Sequence, residues 1–226
     1  MYKYYIHLLL KTNLFKSLFV NFKVFPFKVA LRLPILVAWN THVQGLKNAQ
    51  FQGTNSFATY KFGFPMDLFR SRTDNTYLDF RGKVVFKGRC SLGKGSKVIV
   101  DRNGYVQFGR NFSCTGGVNM ECHQSVIFGD DNVFSWDITI LDTDFHPIFN
   151  QDNKVLNREK PILIGNNVWV GCKAILLKGI HIADGTVIAA GTIVTQSVDS
   201  PHAVIGNEGS KLRYLKTNIR WTPECL

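Results

Sequence analysis

The sequence predicts an all-β protein, a left-handed parallel β-helix (a hexapeptide solenoid). Three observations predict this fold. Six aliphatic residues recur at intervals of six, a period that neither an α-helix nor a one-faced strand has. The residues four places after each are small or β-branched, which suits a tightly stacked sheet. Glycine and asparagine lie between them, where corners require unusual backbone angles. The aliphatic positions are Ile164, Val170, Leu176, Ile182, Ile188 and Val194.

The same period continues upstream in groups of three. These groups are Phe86, Leu92 and Val98; Phe108, Cys114 and Met120; and Phe128, Phe134 and Ile140. If three repeats form one triangular coil, the chain holds about five coils. The long interval between Ile140 and Ile164 must contain an excursion from the coil, and we expect a catalytic loop there, at residues 141–162.

The periodicity divides the chain into three regions. Residues 1–66 form a basic, aromatic N-terminal segment, which we expect to be helical and then irregular. Residues 67–207 form the β-helix, and residues 208–226 form a C-terminal cap. Leu212, Leu215 and Ile219 have helical spacing, which predicts a short capping helix.

Composition limits the class of protein. A hydrophobic content of 45% is enough for a substantial core. The five cysteines are odd in number and include no CxxC pair, so neither a disulfide framework nor a zinc knuckle is indicated. We expect reduced thiols in a cytoplasmic protein. Cys90 and Cys114 occupy repeat positions that point inward, where a buried small hydrophobe is expected.

The net charge of +11 is unevenly distributed. Basic residues alternate with aromatic and aliphatic ones from the N-terminus onward, and the first acidic residue is Asp67. Two compatible interpretations remain open: peripheral attachment of residues 1–33 to the cytosolic face of an anionic membrane, or a helix that caps the open edge of the solenoid. No apolar run approaches the roughly 20 residues that span a bilayer. Nucleic-acid binding is disfavoured, because no recognised module accompanies the charge.

The excursion contains a histidine beside two carboxylates. If residues 142–146 are extended, Asp142, Asp144 and His146 alternate onto one face. A carboxylate near an imidazole can fix its tautomer and stabilise its protonated form. The alternative is a surface loop with one solvated histidine. Glu121 and His123, in the neighbouring coil, are expected to be corner residues.

Three linked motifs resemble one family. They are DFHP at residues 144–147, KPILIGNNVWVG at residues 160–171 and GTVIAAGTIVT at residues 185–195. In this order they resemble the hexapeptide-repeat acetyltransferases over roughly residues 80–215. Within that family the chain resembles the maltose and galactoside O-acetyltransferases. It is more similar still to the O-acetyltransferases of capsule and lipopolysaccharide synthesis.

The resemblance implies an acetyl-CoA-dependent transfer to a sugar hydroxyl, without a metal. His146 would be the general base and Asp144 its partner, and Trp169 would lie beside them. The backbone N–H of Cys172 would stabilise the oxyanion. The implied acetyl-CoA site comprises Trp169, Gly171, Cys172, Ala190, Thr195, Gln196, Lys211 and Arg213. Asp137, Asp142 and Asp144 are candidates for binding the saccharide acceptor, possibly a lipid-linked one, or for orienting His146. The resemblance also implies a homotrimer with sites between protomers.

Three other functions share this scaffold. An N-acetyltransferase would use an amine of an amino or nucleotide sugar as acceptor. A non-catalytic β-helix could organise a membrane-associated synthesis complex. A zinc carbonic anhydrase needs three converging histidines, and His123, His146 and His181 are too dispersed in the sequence to resemble its ligands.

Overall fold

The chain winds into a triangular left-handed β-helix whose three sides are parallel sheets. The computed structural model describes residues 8–65 and 73–223. Among these, the first sheet comprises β1 (Ile35–Val37), β4 (Tyr60–Phe64), β7 (Cys90–Lys94), β10 (Phe112–Gly116), β13 (Val133–Trp136), β16 (Trp169–Val170), β19 (Val187–Ile188), β21 (Val204–Glu208) and β22 (Lys211–Lys216). The second comprises β2 (Thr41–Gln44), β5 (Thr76–Phe80), β8 (Lys97–Val100), β11 (Asn119–Cys122), β14 (Thr139–Leu141), β17 (Ile175–Leu177) and β20 (Ile193–Val194). The third comprises β3 (Ala49–Phe51), β6 (Lys83–Phe86), β9 (Tyr105–Phe108), β12 (Ser125–Phe128), β15 (Ile162–Ile164) and β18 (His181–Ile182).

The six-residue period sets the register between coils. Ile164 pairs with Ile182, and Val170 pairs with Ile188. Leu176 pairs with Val194 in the same way. These side chains point inward and are almost completely buried, which confirms the predicted core positions. A slip of one residue would turn each of them outward, so burial fixes the register.

Phenylalanines stack along the axis at the inner side of the third sheet. The rings of Phe51 and Phe86 are 5.0 Å apart, those of Phe86 and Phe108 are 5.1 Å apart, and those of Phe108 and Phe128 are 5.4 Å apart. All three pairs are close to parallel. Aromatic pairs of this kind contribute about 0.5–1.5 kcal/mol each beyond their buried area. The buried Cys90 and Cys114 lie in this core as free thiols, as expected.

The β-helix begins earlier than the sequence predicts. β1 to β4 already lie within its three sheets, so the prediction of an irregular segment before residue 67 is wrong. Phe51, Phe62 and Leu78 are inward positions of an additional coil, and each pairs with a residue of the next coil. Within the described ranges the second sheet has seven strands, so the solenoid exceeds the predicted five coils. Long corners between these first strands hide the period.

The N-terminal segment is helical, as predicted, and it covers the edge of β1. Its helices are α1 (Leu14–Val24) and α2 (Phe27–Ala30), and a 3-10 turn follows at Leu46–Asn48. Asn21 exchanges hydrogen bonds with the backbone of Ile35, at 2.7 and 3.0 Å. Ser17 Oγ accepts from the N–H of Val37 at 3.0 Å. Side chains of α1 thus satisfy backbone groups that an exposed edge strand would leave unpaired. Residues 1–7 lie outside the described ranges.

The C-terminal cap is a strand, so the predicted capping helix is wrong. β22 pairs antiparallel with β21, and Gly209 forms the turn between them with a φ of 60°. The N–H and C=O groups along the free edge of β21 can bond a neighbouring strand, whereas a helix there would leave them unpaired. This contact outweighs the helical spacing of Leu212, Leu215 and Ile219.

Candidate active site

The predicted excursion from the coil is present, with its ends one residue from the predicted bounds. β14 ends at Leu141 and β15 begins at Ile162, so residues 142–161 leave the corner between the second and third sheets. His146 is exposed on this loop. Two other turns, at residues 178–180 and 195–198, lie at the same corner in the following coils. The second of these carries the predicted Thr195 and Gln196, both exposed.

Residues 142–146 do not form the extended strand that was expected. Phe145 has a φ of 63°, which reverses the local backbone direction. The N–H of His146 donates to the carbonyl of Asp144 at 2.7 Å, closing a tight turn. Asp142 is fully buried whereas Asp144 and His146 are exposed, so the three side chains do not share a face.

Asp142 has a structural role. Its carboxylate accepts hydrogen bonds from the backbone N–H groups of His123, Gln124 and Ser125 at 2.7–2.8 Å. It also accepts from the thiol of Cys122 at 3.3 Å. The predicted acceptor-binding role of Asp142 is therefore wrong, because its oxygens are occupied inside the corner of the preceding coil. Burial, together with this carboxylate, raises the pKa of the Cys122 thiol, which stays protonated as a donor.

Asp144 fixes the loop to the body of the β-helix. Its carboxylate forms an ion pair with Lys178 and accepts from Asn157 Nδ2 at 2.9 Å. The bond from Lys178 lowers the pKa of Asp144 most, and the bond from Asn157 lowers it further. The carboxylate contacts Lys178 and Asn157 and not the imidazole of His146. Asp144 therefore positions the loop that carries His146.

Asn157 connects the two arms of the loop. Its amide donates to the carbonyl of His146 at 2.9 Å, and its Oδ1 accepts from the N–H of Ile148 at 2.6 Å. Lys178 Nζ also donates to the carbonyl of Asn157 at 2.6 Å. The sequence does not predict these contacts, because no local pattern marks Asn157 or Lys178 as neighbours of Asp144.

The loop packs on two residues that were expected to be simple corner residues. The rings of His123 and Phe145 are 5.7 Å apart and nearly perpendicular. Glu121 Oε1 lies 3.3 Å from His123 Nε2. Glu121 and His123 therefore border the turn that carries His146, and the edge-to-face contact supports the position of Phe145.

Trp169 lies on the outer face of the first sheet, as predicted, and is 41% exposed. Its Nε1 lies 3.4 Å from Ser135 Oγ, and its ring is 5.9 Å from that of Trp221. Trp221 donates from Nε1 to the carbonyl of Asn167 at 2.8 Å, which folds the C-terminal segment back beside Trp169. No pattern in the sequence marked Trp221, because the segment that carries it has no repeat.

Gly171, Cys172 and Ala190 meet at the corner between the first and second sheets. A Cβ on Gly171 would lie 2.6 Å from the nitrogen of Ala190, so only glycine permits this approach of two coils. The N–H groups of Gly171 and Lys173 donate to neighbouring coils at 2.8 and 2.9 Å. Within the described residues, the intervening N–H of Cys172 donates to no backbone carbonyl.

The other predicted residues lie at three further places. Asp137 is exposed at the same corner as Cys172, one coil earlier, with a φ of 57°. Lys211 and Arg213 are both exposed on β22, at the end of the first sheet. Arg213 Nε lies 3.6 Å from Glu208 Oε2. A single chain therefore brings together Gly171, Cys172 and Ala190, but holds His146 across the width of the second sheet from them.

Comparisons with known proteins agree with this architecture. The family described as bacterial transferase hexapeptide (six repeats) matches residues 161–196. The polysialic acid O-acetyltransferase of Escherichia coli O1:K1 / APEC is 35% identical over 146 residues, which is 64% of this chain and 44% of that protein. The galactoside O-acetyltransferase of Escherichia coli (strain K12) is 34% identical over 96 residues, or 41% of this chain and 46% of that protein. The match thus spans less than half the length of these two relatives.

A solved structure shares the fold. The crystal structure of the polySia specific acetyltransferase NeuO has a TM-score of 0.50 and 24% sequence identity, and it covers 84% of this chain and 79% of that chain. At this identity the likeness shows the β-helix alone. The chain therefore carries the bacterial transferase hexapeptide repeat on a left-handed β-helix, and it is similar to O-acetyltransferases that share this repeat.

Proposed function

We propose that the protein transfers an acetyl group from acetyl-CoA to a sugar hydroxyl of a surface polysaccharide or its precursor. The observation that carries this proposal is the exposed His146 on a loop that is fixed to the β-helix through Asp144, Asn157 and Lys178. A histidine held in this way is free to exchange a proton while its backbone stays in place.

His146 is the general base of the proposed reaction. Its imidazole takes the proton from the sugar hydroxyl as that oxygen attacks the thioester carbonyl. The C–S bond breaks when the tetrahedral intermediate collapses, and the CoA thiolate leaves with the proton that the imidazolium returns. The N–H of Cys172, which has no backbone acceptor in the described chain, is aligned to donate to the developing oxyanion.

The residues along the first sheet fit acetyl-CoA. We assign the coenzyme groove to the corner where Gly171 lies close to Ala190, and Trp169 offers an aromatic surface for the pantetheine arm. Lys211 and Arg213 place two positive charges at the end of this sheet, suited to the nucleotide phosphates. Thr195 and Gln196 lie at the corner that carries the His146 loop, so they complete the groove from that side.

The site is composite in this proposal. His146 and Cys172 lie at opposite edges of the second sheet of one protomer, so residues of neighbouring protomers must meet in a cyclic homotrimer. Mixing H146A and W169A chains tests this. The assay uses acetyl-CoA well below KM, where W169A alone retains about a tenth of wild-type activity and H146A less. Each mixed interface that pairs an intact His146 with an intact Trp169 is active, so random mixing gives about a quarter of wild-type activity. No restoration, with both variants trimeric, contradicts a composite site.

The N-terminal helix attaches the enzyme to the cytosolic face of an anionic membrane. Ser17 and Asn21 face β1, whereas Phe15 is 86% exposed and Phe19 is 67% exposed on the opposite side. Lys23 Nζ lies 5.8 Å from the centroid of the Phe19 ring. One side of α1 thus caps the sheet, and the other presents aromatics among lysines, which supports a contact with the membrane surface. Among the described residues no helix is long and apolar enough to span a bilayer.

Flotation with vesicles tests the membrane contact. Wild-type protein should float with vesicles that contain anionic phosphatidylglycerol. With vesicles of neutral phosphatidylcholine it should stay in the bottom fraction. The F15S/F19S double variant should lose binding without losing stability, because both side chains are exposed. Binding that does not depend on these residues or on lipid charge contradicts the assignment.

An acceptor screen tests the reaction itself. Thiol release from acetyl-CoA is followed with sugars, nucleotide sugars and lipid-linked oligosaccharides, and the acetyl position in the product is read by NMR. An alkali-labile ester supports O-acetyl transfer. An alkali-stable amide supports the alternative amine acceptor and overturns the hydroxyl assignment. No acceptor-dependent thiol release overturns the proposed activity.

A further inference from the structure

A basic cavity lies on the first coils, at the corner between the third and first sheets. Its volume is about 590 Å³. The long connection at residues 52–59 forms one wall, and two short corners, at residues 87–89 and 109–111, form the floor. Neither the predicted acetyl-CoA residues nor His146 lines this cavity. The proposed reaction therefore leaves it unexplained.

Positive charge dominates the lining. Lys61, Lys87, Arg89 and Arg110 line the cavity, and no acidic residue does. Arg110 is bound by Asp130 of the next coil through Nε and Nη2. In the part of the chain that the structure describes, Lys87 and Arg89 form no ion pair with a carboxylate. The carboxylate of Asp130 also interacts electrostatically with Lys87, so Asp130 offsets Arg110 and part of the charge of Lys87. A concave surface with this excess of cations concentrates positive potential and attracts an anion.

The wall of the cavity is built by buried contacts. Tyr60 is fully buried and its hydroxyl accepts from the N–H of Gly53 at 2.9 Å. The same hydroxyl donates to Asn55 Oδ1 at 3.3 Å. A Cβ on Gly88 would lie 2.9 Å from Arg110 Cγ, so glycine there lets the arginine lie across the floor. Phe57, 39% exposed, adds an apolar surface that can pack on the C–H face of a sugar ring.

A continuous row of outward-facing residues joins this cavity to Trp169. The pairing of successive strands places Lys61 beside Ser91, Ser91 beside Ser113, Ser113 beside Val133, and Val133 beside Trp169. Strands in a sheet are about 4.8 Å apart, so the row covers about 19 Å from Lys61 to Trp169. Between its ends, Ser91 is buried, whereas Ser113 and Val133 are half-buried. The register therefore gives the distance between the cavity and Trp169, and it places both on the same sheet.

We propose that this cavity binds an anionic group of the acceptor saccharide, a carboxylate or a phosphate, about 19 Å along the first sheet from Trp169. This inference rests on the proposed function and names its substrate class: an acidic saccharide rather than a neutral one. Arg89 is the residue best suited to bind the anion, because a guanidinium can bond both oxygens of a carboxylate or phosphate. The acceptor and the coenzyme phosphates then approach Trp169 from opposite ends of the first sheet.

Direct binding tests the inference without acetyl-CoA. The ligands are a galacturonate oligosaccharide, a neutral malto-oligosaccharide of equal length, and N-acetylglucosamine linked to geranyl diphosphate. Isothermal titration compares wild-type protein with Arg89→Glu and with Arg102→Glu. Arg102 is an exposed arginine at a different corner, so it controls for net charge. We expect Arg89→Glu to weaken binding of an anionic ligand at least about tenfold, whereas Arg102→Glu changes it less than about twofold.

The anionic ligand that responds identifies the source of the charge. If Arg89→Glu weakens binding of the galacturonate oligosaccharide alone, the acceptor is a carboxylated polymer. If it weakens binding of the diphosphate alone, the acceptor is a lipid-linked unit. Equal weakening by both variants, equal binding of the neutral oligosaccharide, or no binding of either anionic ligand overturns the inference. If binding depends on Arg89 but no acetyl transfer is found, the anion site stands and the proposed function fails.

Discussion

The side-chain amide of Asn157 donates a hydrogen bond of 2.9 Å to the backbone carbonyl of His146. The same amide bonds the carboxylate of Asp144, which is paired with Lys178 on the body of the β-helix. One asparagine thus links the candidate base to a rigid coil. In this arrangement the loop is fixed to the body of the β-helix.

Replacing Asn157 with Ala should reduce turnover more than stability. The change removes the hydrogen bonds that hold the turn at His146, and we expect kcat for acetyl transfer to fall about tenfold. The free energy of unfolding should change by less than about 1 kcal/mol, because the side chain is not part of the core. Asn150→Ala is the control, since Asn150 organises only the turn at residues 150–154. Equal effects of the two variants on kcat would argue against a positioning role.

The ion pair of Asp144 makes the loop sensitive to acid. Lys178 and Asn157 lower the pKa of this carboxyl, so the anchor is intact above the usual value of about 3.9 and is lost as the pH falls through the lowered value. Hydrogen-exchange protection of residues 144–157, corrected for intrinsic rates, should therefore fall only in strongly acidic solution. In Asp144→Asn the protection should already be low at neutral pH. Undiminished protection in that variant would exclude the ion pair as the anchor.

Asp142 should matter for stability alone. Its replacement by Ala leaves three part-buried N–H groups without the carboxylate that accepts from them, and each unsatisfied group costs about 1–3 kcal/mol. We expect the free energy of unfolding in urea to fall by about 3 kcal/mol or more. Asp199→Ala is the matched control, because Asp199 is 83% exposed and should change stability by less than about 0.5 kcal/mol. A stable Asp142→Ala protein with impaired acceptor binding would restore the original interpretation of this residue.

Trp169 and Trp221 are neighbours with different expected roles. Trp169→Ala should raise KM for acetyl-CoA about tenfold, because the aromatic surface beside the thioester is lost. Trp221→Ala should raise it less than about threefold, since its Nε1 is bound to the carbonyl of Asn167 and its ring only supports Trp169. Initial-rate measurements at saturating acceptor give both values. A larger increase of KM in Trp221→Ala than in Trp169→Ala would show that the C-terminal segment, rather than β16, contacts acetyl-CoA.

The six-residue period predicts most of this fold because it directly reports which side chains point inward. It therefore gives the register of Ile164 on Ile182 correctly. It fails where corners are long: Phe51 and Phe62 occupy equivalent positions, but residues 52–59 separate their strands. It fails again at β22, where the free edge of β21 outweighs the local pattern.

The candidate site is predictable only in part, for a related reason. His146 and Trp169 stand out because one lies where the period breaks and the other is a large outward-facing aromatic. Lys178 is invisible in the sequence as a partner of Asp144, because their contact depends on the stacking of two coils. The burial of Asp142 depends likewise on backbone N–H groups of an earlier coil, which no side-chain pattern reveals.

The central claim is that His146 is the general base, and the acetyl-transfer rate of His146→Ala tests it most directly. The matched control is His181→Ala, since His181 is exposed on β18 and its imidazole lies 3.5 Å from the exposed carboxylate of Asp199. Thiol release from acetyl-CoA in the presence of acceptor should fall by on the order of a hundred to ten thousandfold in His146→Ala, with the KM for acetyl-CoA little changed. It should remain near the wild-type rate in His181→Ala. An unchanged rate in His146→Ala would contradict the account.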